Sequence, residues 1–120
     1  MKYALLIYTD PTVEASPEEM AQIMEDYYKF TNSINERGIN LGGEALEPIE
    51  TATTVRVRND ETLTTDGPFA ETKEVLGGFY LIDVADLDAA IAVAAELPGS
   101  WNGSVEVRPI WDFENAQQAE

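Results

Sequence analysis

The sequence predicts an α+β protein with a ferredoxin-like βαββαβ plan and a hairpin added between its middle strands. Three observations lead to this prediction. Apolar segments of strand length alternate with two segments of helical periodicity, an additional pair of short alternating segments lies in the middle of the chain, and turn-forming residues separate these elements. Right-handed crossovers would place both helices on one face of an antiparallel sheet.

The first strand and the first helix have the clearest signals. Residues 2–9 are nearly all apolar or aromatic, which is typical of a central strand that is buried on both faces. Ser16, Pro17 and Glu19 predict a helix start with a capping box and a proline in the first turn, and Gly38 is the predicted stop. The predicted apolar stripe of this helix consists of Met20, Ile23, Met24, Tyr27, Thr31 and Ile34.

The middle of the chain is predicted to hold an interrupted strand and a hairpin. Residues 39–46 contain the pair Gly42-Gly43, which indicates a bulge or the close approach of another backbone. Residues 53–58 alternate polar and apolar side chains and are followed by residues 62–65, so we expect a hairpin with one solvent-exposed face. This hairpin leads the chain to Asp66.

The last third of the chain is predicted to contain strand, helix and strand. Residues 79–84 form the first strand, Asp86 caps the helix, and Pro98 ends it. Residues 104–110 alternate again, and Pro109 favours an edge position for that strand. The predicted apolar positions of this helix are Leu87, Ala90, Ile91, Ala94 and Leu97.

Composition and charge restrict the possible functions. A chain of 120 residues with 44% hydrophobic content suits one domain, which we expect over residues 1–113, followed by a polar tail over residues 114–120. The net charge of −16 disfavours nucleic acid and anionic membranes as partners. No apolar run is long enough to span a membrane, so we expect a cytoplasmic protein.

The residue types that are missing narrow the chemistry further. The sequence contains no cysteine and no histidine, which excludes thiolate catalysis and removes the commonest general base and metal ligand. Acid–base chemistry would therefore depend on carboxylates, tyrosine or lysine. No metal site and no cofactor are predicted.

A homodimer is predicted from the sheet. If both helices lie on one face, the other face is uncovered. We expect that four apolar strand residues cannot all point into the helix layer. They are Tyr3, Leu5, Tyr80 and Ile82. A second copy of the chain would bury the apolar surface that remains.

The segment with the densest chemistry begins at Asp66. Asp66-Gly67-Pro68 has the residues of a rigid turn, because Asp bonds the nearby backbone, Gly accepts positive φ and Pro fixes the next bend. The alternative interpretation, compatible with the first, places the Asp66 carboxylate at the mouth of a pocket with Phe69 as an apolar wall.

Other candidates each have a structural and a functional interpretation. Glu71 and Lys73 form a solvated ion pair worth under about 1 kcal/mol, or Lys73 anchors an anionic ligand group. Gly78 belongs to a bulge or admits a ligand, and Tyr27 packs in the core or donates a proton. The candidate ligand-binding residues are Asp66, Gly67, Pro68, Phe69, Glu71, Lys73, Gly78 and Tyr80; the candidate catalytic residues are Asp66, Tyr27 and Lys73.

Five segments, taken together and in order, resemble a known family. They are residues 2–8, residues 41–46, residues 52–58, residues 65–73 with 76–80, and residues 105–110; the fourth contains Asp66-Gly67-Pro68-Phe69. The chain is similar over almost its whole length to the YCII-related family, in the group named for its DGPF motif.

The resemblance implies a dimeric α+β barrel, in which two ferredoxin-like sheets face each other. It also implies an association with extracytoplasmic-function sigma factors, and it places the chain in a superfamily that includes muconolactone isomerases and heme-degrading monooxygenases. Shorter relatives carry a histidine on the first helix, paired with an aspartate as a proposed acid–base dyad. That position falls near Tyr27 here, so the dyad and heme ligation through histidine do not transfer.

Three functions therefore stand as hypotheses. The first is a non-catalytic small-ligand or regulatory dimer that has its pocket between the sheet and the Asp66 turn and serves a sigma factor. The second is a cofactor-independent isomerase, lyase or hydrolase in which Asp66 acts as base, with Tyr27 or Lys73 as donor. The third is a purely structural or interaction role.

Overall fold

The computed structural model describes residues 1–114, so the predicted tail lies outside the described residues from residue 115 onward. The strands are β1 (Lys2–Thr9), β2 (Asn40–Ala45), β3 (Thr53–Arg58), β4 (Glu61–Asp66), β5 (Val75–Asp83) and β6 (Ser104–Pro109), and the helices are α1 (Pro17–Glu36), α2 (Leu87–Glu96) and α3 (Gly99–Asn102). Within the described chain, no helix is both long enough and apolar enough to cross a membrane.

Four strands form an antiparallel sheet in the order β2-β5-β1-β6. The remaining two, β3 and β4, pair only with each other as a hairpin inserted between β2 and β5. The prediction of a ferredoxin-like α+β fold with an added hairpin is confirmed. The predicted central position of β1 and edge position of β6 are confirmed too, because β1 pairs on both sides and β6 on one.

The core lies between one face of this sheet and the helices. Its buried residues come from β1, β5, α1 and α2, and they are Tyr3, Leu5, Ile7, Phe30, Ile34, Ile82, Ala90, Val93, Ala94 and Leu97. Both main helices therefore cover the same sheet face, as expected. Alternation along β1 leaves its other face half-buried within one chain, so burial on both faces depends on the predicted homodimer and stays a prediction.

Helix α1 begins as predicted. The Ser16 hydroxyl accepts from the Glu19 backbone N–H at 3.1 Å, and the Glu19 carboxylate accepts from the Ser16 N–H at 3.4 Å. The predicted stripe is only partly right, because Met20 and Met24 are 48% and 66% exposed while Phe30 is buried instead. The buried residues of α1, Phe30 and Ile34, both lie in its C-terminal half.

We expect Ser16→Ala to lower the free energy of unfolding by about 1 kcal/mol. The substitution removes the acceptor for one of the unpaired N–H groups of the first turn and leaves the rest of α1 unchanged. Urea denaturation followed by circular dichroism measures the change. Ser16→Asp is the matched control, since an aspartate also accepts at the N-cap and should restore most of the loss.

The four apolar residues expected to divide between the two sheet faces all face the helices, so that expectation is wrong. Across β1 and β5, Tyr3 lies opposite Ile82. Leu5 lies opposite Tyr80 in the same register, and directly opposite residues share a face. The uncovered face exists nonetheless, since the alternate positions of these two strands are also apolar and half-buried: Ala4, Leu6, Tyr8, Phe79 and Leu81.

The hairpin turns at Asn59 and Asp60, which both adopt positive φ, at 51° and 66°. Two successive residues of this kind match the right-handed twist of paired strands. One exposed face was predicted, but nearly every residue of β3 and β4 is exposed, so the prediction is wrong. Val55 and Val57 point away from any core, at 58% and 59% exposure.

The overall shape reflects this projecting hairpin. The radius of gyration is 16.9 Å, whereas a compact chain of this length is expected near 14 Å (about 2.2·N^0.38). The molecule measures 53 × 48 × 19 Å, which is a plate only one sheet and one helix layer thick. The chain thus leaves one sheet face and the hairpin uncovered.

Candidate functional site

A cavity of about 480 Å³ opens between α1 and the β2–β5 side of the sheet. Its volume lies within the range of about 300–1,000 Å³ that small-molecule sites occupy. The residues around it are Ile7, Thr9, Tyr27, Thr31, Asn40, Gly42, Gly43, Glu44, Ala45, Gly77, Gly78, Phe79 and Tyr80.

The cavity exists because the sheet carries no bulky side chain at this place. Gly43 lies opposite Tyr80 and Ala45 lies opposite Gly78, so both β2 residues share the helix-facing side. Gly78 also lies opposite Ile7, which is part of the buried core. Three neighbouring positions that would normally fill the space below α1 therefore contribute only hydrogen atoms or one methyl group.

Two of these positions require glycine for the approach of the strands themselves. A Cβ at Gly43 would meet the carbonyl oxygen of Phe79, and a Cβ at Gly78 would lie 2.9 Å from the carbonyl oxygen of Glu44. The register of β1 and β5 also shifts beside Gly78, between Ile7 and Tyr8. The bulge predicted at Gly78 is confirmed, and Gly43 and Gly78 both belong to the floor of the cavity.

Hydroxyl groups line the opposite wall. The hydroxyls of Thr31 and Tyr80 are 2.8 Å apart and share one hydrogen bond. The ring of Phe30 packs edge-on against the ring of Tyr80, with centroids 5.1 Å apart. This packing fixes the Tyr80 ring, so its hydroxyl is held at a defined place on the wall.

Tyr27 adds a third hydroxyl from the preceding turn of α1. Burial raises the pKa of Tyr27 above its ordinary value of 10.0, and nearby Tyr80 acts in the same direction. A backbone hydrogen bond at Gly99 opposes the shift. The phenol therefore keeps its proton at neutral pH and serves as a hydrogen-bond donor rather than as a base.

This shift makes stability depend on pH in the alkaline range. The contribution of Tyr27 is fully present below the unfolded-state pKa and is lost as pH rises through the higher folded-state pKa. We expect the melting temperature of the protein to fall more steeply between about pH 9 and 11 than that of Tyr27→Phe. Thermal melts at several pH values measure the two slopes; equal slopes would contradict the buried phenol.

Asn40 fixes the end of the cavity where β2 begins. Its amide donates to the Asn35 side chain at 2.7 Å, and its carbonyl oxygen accepts from the Gly42 backbone at 2.9 Å. These bonds tie the C-terminal end of α1 to the start of β2. The glycine-rich strand is thereby held in place without a bulky side chain of its own.

The segment that the sequence predicts as the site, residues 66–69, lies away from the cavity. Asp66 is the last residue of β4, is exposed, and is not among the residues that line the cavity. Gly67 has φ +95° and donates to the Ala52 carbonyl at 2.7 Å, so the turn interpretation fits the backbone. Phe69 is 78% exposed, and Pro68 is half-buried. The structure of one chain does not bring these residues to the cavity.

Glu71 and Lys73 follow the same pattern. Both are exposed, and within residues 1–114 no ion pair joins them. Hydrogen bonds from Thr12 lower the pKa of Asp10, and the positive charge of Lys73 adds to this effect. The positive charge of Lys73 thus acts on Asp10, the residue after β1.

Of the residues singled out from the sequence, Tyr27, Gly78 and Tyr80 line the cavity. Sequence reasoning did not find Ala45 or Asn40 as site residues, and it placed Thr31 only in the apolar stripe. One signal was present: small residues at alternate positions of one strand, next to a strand with a glycine pair, indicate a gap in the side-chain layer. Recognising it requires the register between β2 and β5.

The described residues contain no group of three or more carboxylates that could hold a metal ion. The donor set of the cavity is instead made of hydroxyls, one amide and backbone groups. Such a set suits hydrogen bonding to an organic molecule.

Two comparisons with known proteins match nearly the whole chain. The model of the YCII-related domain family matches residues 1–114. An uncharacterized protein of Rhizobium meliloti (strain 1021) is 45% identical over 115 residues, which cover 92% of each chain.

Proposed function

Because the chain belongs to the YCII-related domain family, whose match includes every residue of the cavity, we propose that it is a small-ligand-binding homodimer with a regulatory role. The single observation that carries this proposal is the cavity below α1. It is partly enclosed, it has a floor of Gly43, Ala45 and Gly78, and it has a wall of fixed hydroxyls. A gap of this size would be filled by side chains if it served only the core.

The uncovered sheet face supports the homodimer. Leu6 and Tyr8 of β1 lie beside Phe79 and Leu81 of β5, and none of the four is covered by a helix. An apolar sheet face of this kind is commonly buried against another sheet about 10 Å away. A two-fold axis would place the same patch on both sides of the interface, so one surface suffices.

The projecting hairpin, β3 and β4, also supports the proposed homodimer. Val55 and Val57 occupy one side of β3 and contact no core residue of their own chain. An isolated two-stranded hairpin is marginal in water, and it gains stability when a side is covered. In the proposed dimer the hairpin extends over the second copy.

Native mass spectrometry of the purified protein tests ligand binding, together with a thermal-shift screen of small organic molecules. We expect at least one compound to raise the melting temperature, since binding to the folded state stabilises it in proportion to ln(1 + [L]/Kd). Ala45→Phe should abolish the shift by filling the cavity. Ala92→Phe, at an exposed position of α2, is the matched control. A screen in which no compound distinguishes these two variants would contradict the proposal.

The proposed regulatory partner is an extracytoplasmic-function sigma factor. A DNA-binding protein carries basic surface, and this chain, with 23 acidic against 7 basic residues, has the complementary charge. We expect a sigma factor encoded beside the gene to co-purify at low ionic strength and to dissociate as salt is raised. Failure to co-purify at low salt would count against direct binding.

Catalysis by Asp66, with Tyr27 or Lys73 as donor, stays a prediction. The reaction class would be a cofactor-independent isomerisation, elimination or hydrolysis. A general base must lie within hydrogen-bond reach of its substrate, directly or through one water. Since Asp66 lies outside the lining of its own chain's cavity, this function requires the Asp66 carboxylate of a second copy to reach that cavity.

A further inference from the structure

The chemistry of the cavity wall restricts what the cavity can hold, and this inference rests on the proposed ligand-binding function. None of the seven lysines and arginines of the chain lines the cavity. The net charge of −16 adds a long-range repulsion for anions. A carboxylate or phosphate would therefore lose its hydration without gaining a positive partner.

A cation is disfavoured for a related reason. Among residues 1–114, Glu44 is the one acidic residue around the cavity, and it lies opposite Phe79 in the register of β2 and β5. This places its side chain with Phe79 on the sheet face away from α1. Glu44 thus bounds the cavity through its backbone, and no carboxylate would compensate a buried ammonium group.

Three hydroxyl-bearing residues that line the cavity can donate protons: Tyr27, Thr31 and Tyr80. The Thr31 and Tyr80 hydroxyls share one hydrogen bond, which uses one of their two protons and leaves the other free to donate. Tyr27 also lines the cavity, and its hydroxyl oxygen lies 2.8 Å from the place that a Cβ on Gly99 would take. A neutral phenol has one proton to donate, so the residues around the cavity include two sources of a donated proton.

The floor has the opposite character. Gly43, Ala45 and Gly78 present only Cα and methyl carbons toward α1, and the apolar residue Ile7, opposite Gly78, also lines the cavity. Such a floor accommodates a flat apolar body at van der Waals distance, because none of these three positions carries more than a methyl group.

We propose that the cavity binds an uncharged organic molecule with a flat apolar body over Gly43, Ala45 and Gly78, whose carbonyl oxygen accepts from Tyr27 and from the Thr31–Tyr80 pair. The class includes ketones, amides and esters. It excludes free carboxylic acids, phosphates and amines in their charged forms.

Three probes that share one ring test this inference: benzamide, benzoate and benzylammonium. Each is titrated into the ¹⁵N-labelled full-length protein, and the backbone amide shifts of Gly43 and Gly78 are followed. We expect benzamide to bind at least about tenfold more tightly than either charged probe, since an unpaired buried charge costs more than the roughly 1.4 kcal/mol that a factor of ten represents.

Two variants locate the donor. Tyr27→Phe should weaken benzamide about tenfold, because it leaves the carbonyl with one donor fewer. Tyr28→Phe removes the hydroxyl of the next residue, which is 73% exposed and outside this cavity, and should leave the affinity unchanged. Both variants keep the ring, so the fold is expected to survive.

The outcomes separate the two proposals. If benzoate or benzylammonium binds as tightly as benzamide, the inference about an uncharged carbonyl ligand is overturned while ligand binding in this cavity stands. Equal losses in Tyr27→Phe and Tyr28→Phe would overturn the assigned donor. If no probe shifts Gly43 or Gly78 and the thermal screen is also silent, both the ligand class and the proposed function fall.

Discussion

Leu81→Asp is expected to convert the proposed dimer into a monomer. Leu81 lies on the sheet face that no helix covers, and a two-fold interface would contain two substituted residues. An aspartate there would have to lose its hydration with no positive partner, so we expect the dissociation constant to rise at least about 100-fold. Light scattering coupled to size exclusion distinguishes 13.2 kDa from twice that mass.

Leu87→Asp is the matched control for this experiment. Leu87 is 49% exposed at the start of α2, where an acidic residue is favoured by the helix dipole, and it belongs to the opposite side of the molecule. This variant should keep the mass of the unsubstituted protein. If Leu81→Asp also keeps a dimer mass, the uncovered face is not the interface. If the unsubstituted protein is itself monomeric at micromolar concentration, the proposed dimer does not exist.

Leu5→Ala is expected to lower the free energy of unfolding by about 3 kcal/mol. Leu5 is completely buried at the centre of β1, where it lies opposite Tyr80 on one side and Val107 on the other. Removal of three carbon atoms leaves a cavity that strands paired on both sides cannot close. Urea denaturation measures the loss.

Leu87→Ala controls for the change of residue type. Because Leu87 is half exposed on a helix, its truncation should cost less than about 1 kcal/mol. Both variants must be compared at one protein concentration, since the stability of a dimer depends on it. A Leu5→Ala loss no larger than that of Leu87→Ala would contradict the assigned core.

Local signals in the sequence were sufficient to predict the structure wherever one short-range interaction decides it. The Ser16–Glu19 capping box, the Asp86 cap and the bulge at Gly78 all appear as expected, because each depends on a few neighbouring residues. The short helix α3 was not expected, since four residues give no periodicity to recognise. Pro98 ends α2 as predicted, but α3 begins directly after it.

The sheet face that each strand residue occupies was harder to predict from the sequence. Tyr3 and Tyr80 belong to different strands, and only the register decides that both face α1. A shift of one residue would move Tyr80 to the other side of the sheet. The correct expectation of an uncovered apolar face therefore rested on the wrong residues, and the pattern of alternation supplies the right ones, including Leu6 and Leu81.

The candidate site shows the same limit. The sequence drew attention to Asp66, where turn residues, an aromatic ring and charges are close along the chain. The cavity is instead built from residues far apart in sequence, such as Tyr27, Ala45 and Gly78. The cavity exists because several neighbouring positions lack large side chains, and no single residue of the sequence indicates that they are neighbours.

The sequence by itself determined the α+β class, the order of elements, the helix start at Ser16 and the absence of histidine and cysteine chemistry, because composition, spacing and local hydrogen bonding decide these. Only the tertiary structure decided which residues face α1 and where the cavity lies. It also decided that the hairpin projects from the main sheet with both of its own faces exposed. The physical reason is that a cavity and a sheet face are properties of register and packing between distant segments. Neighbouring residues along the chain do not contain that information.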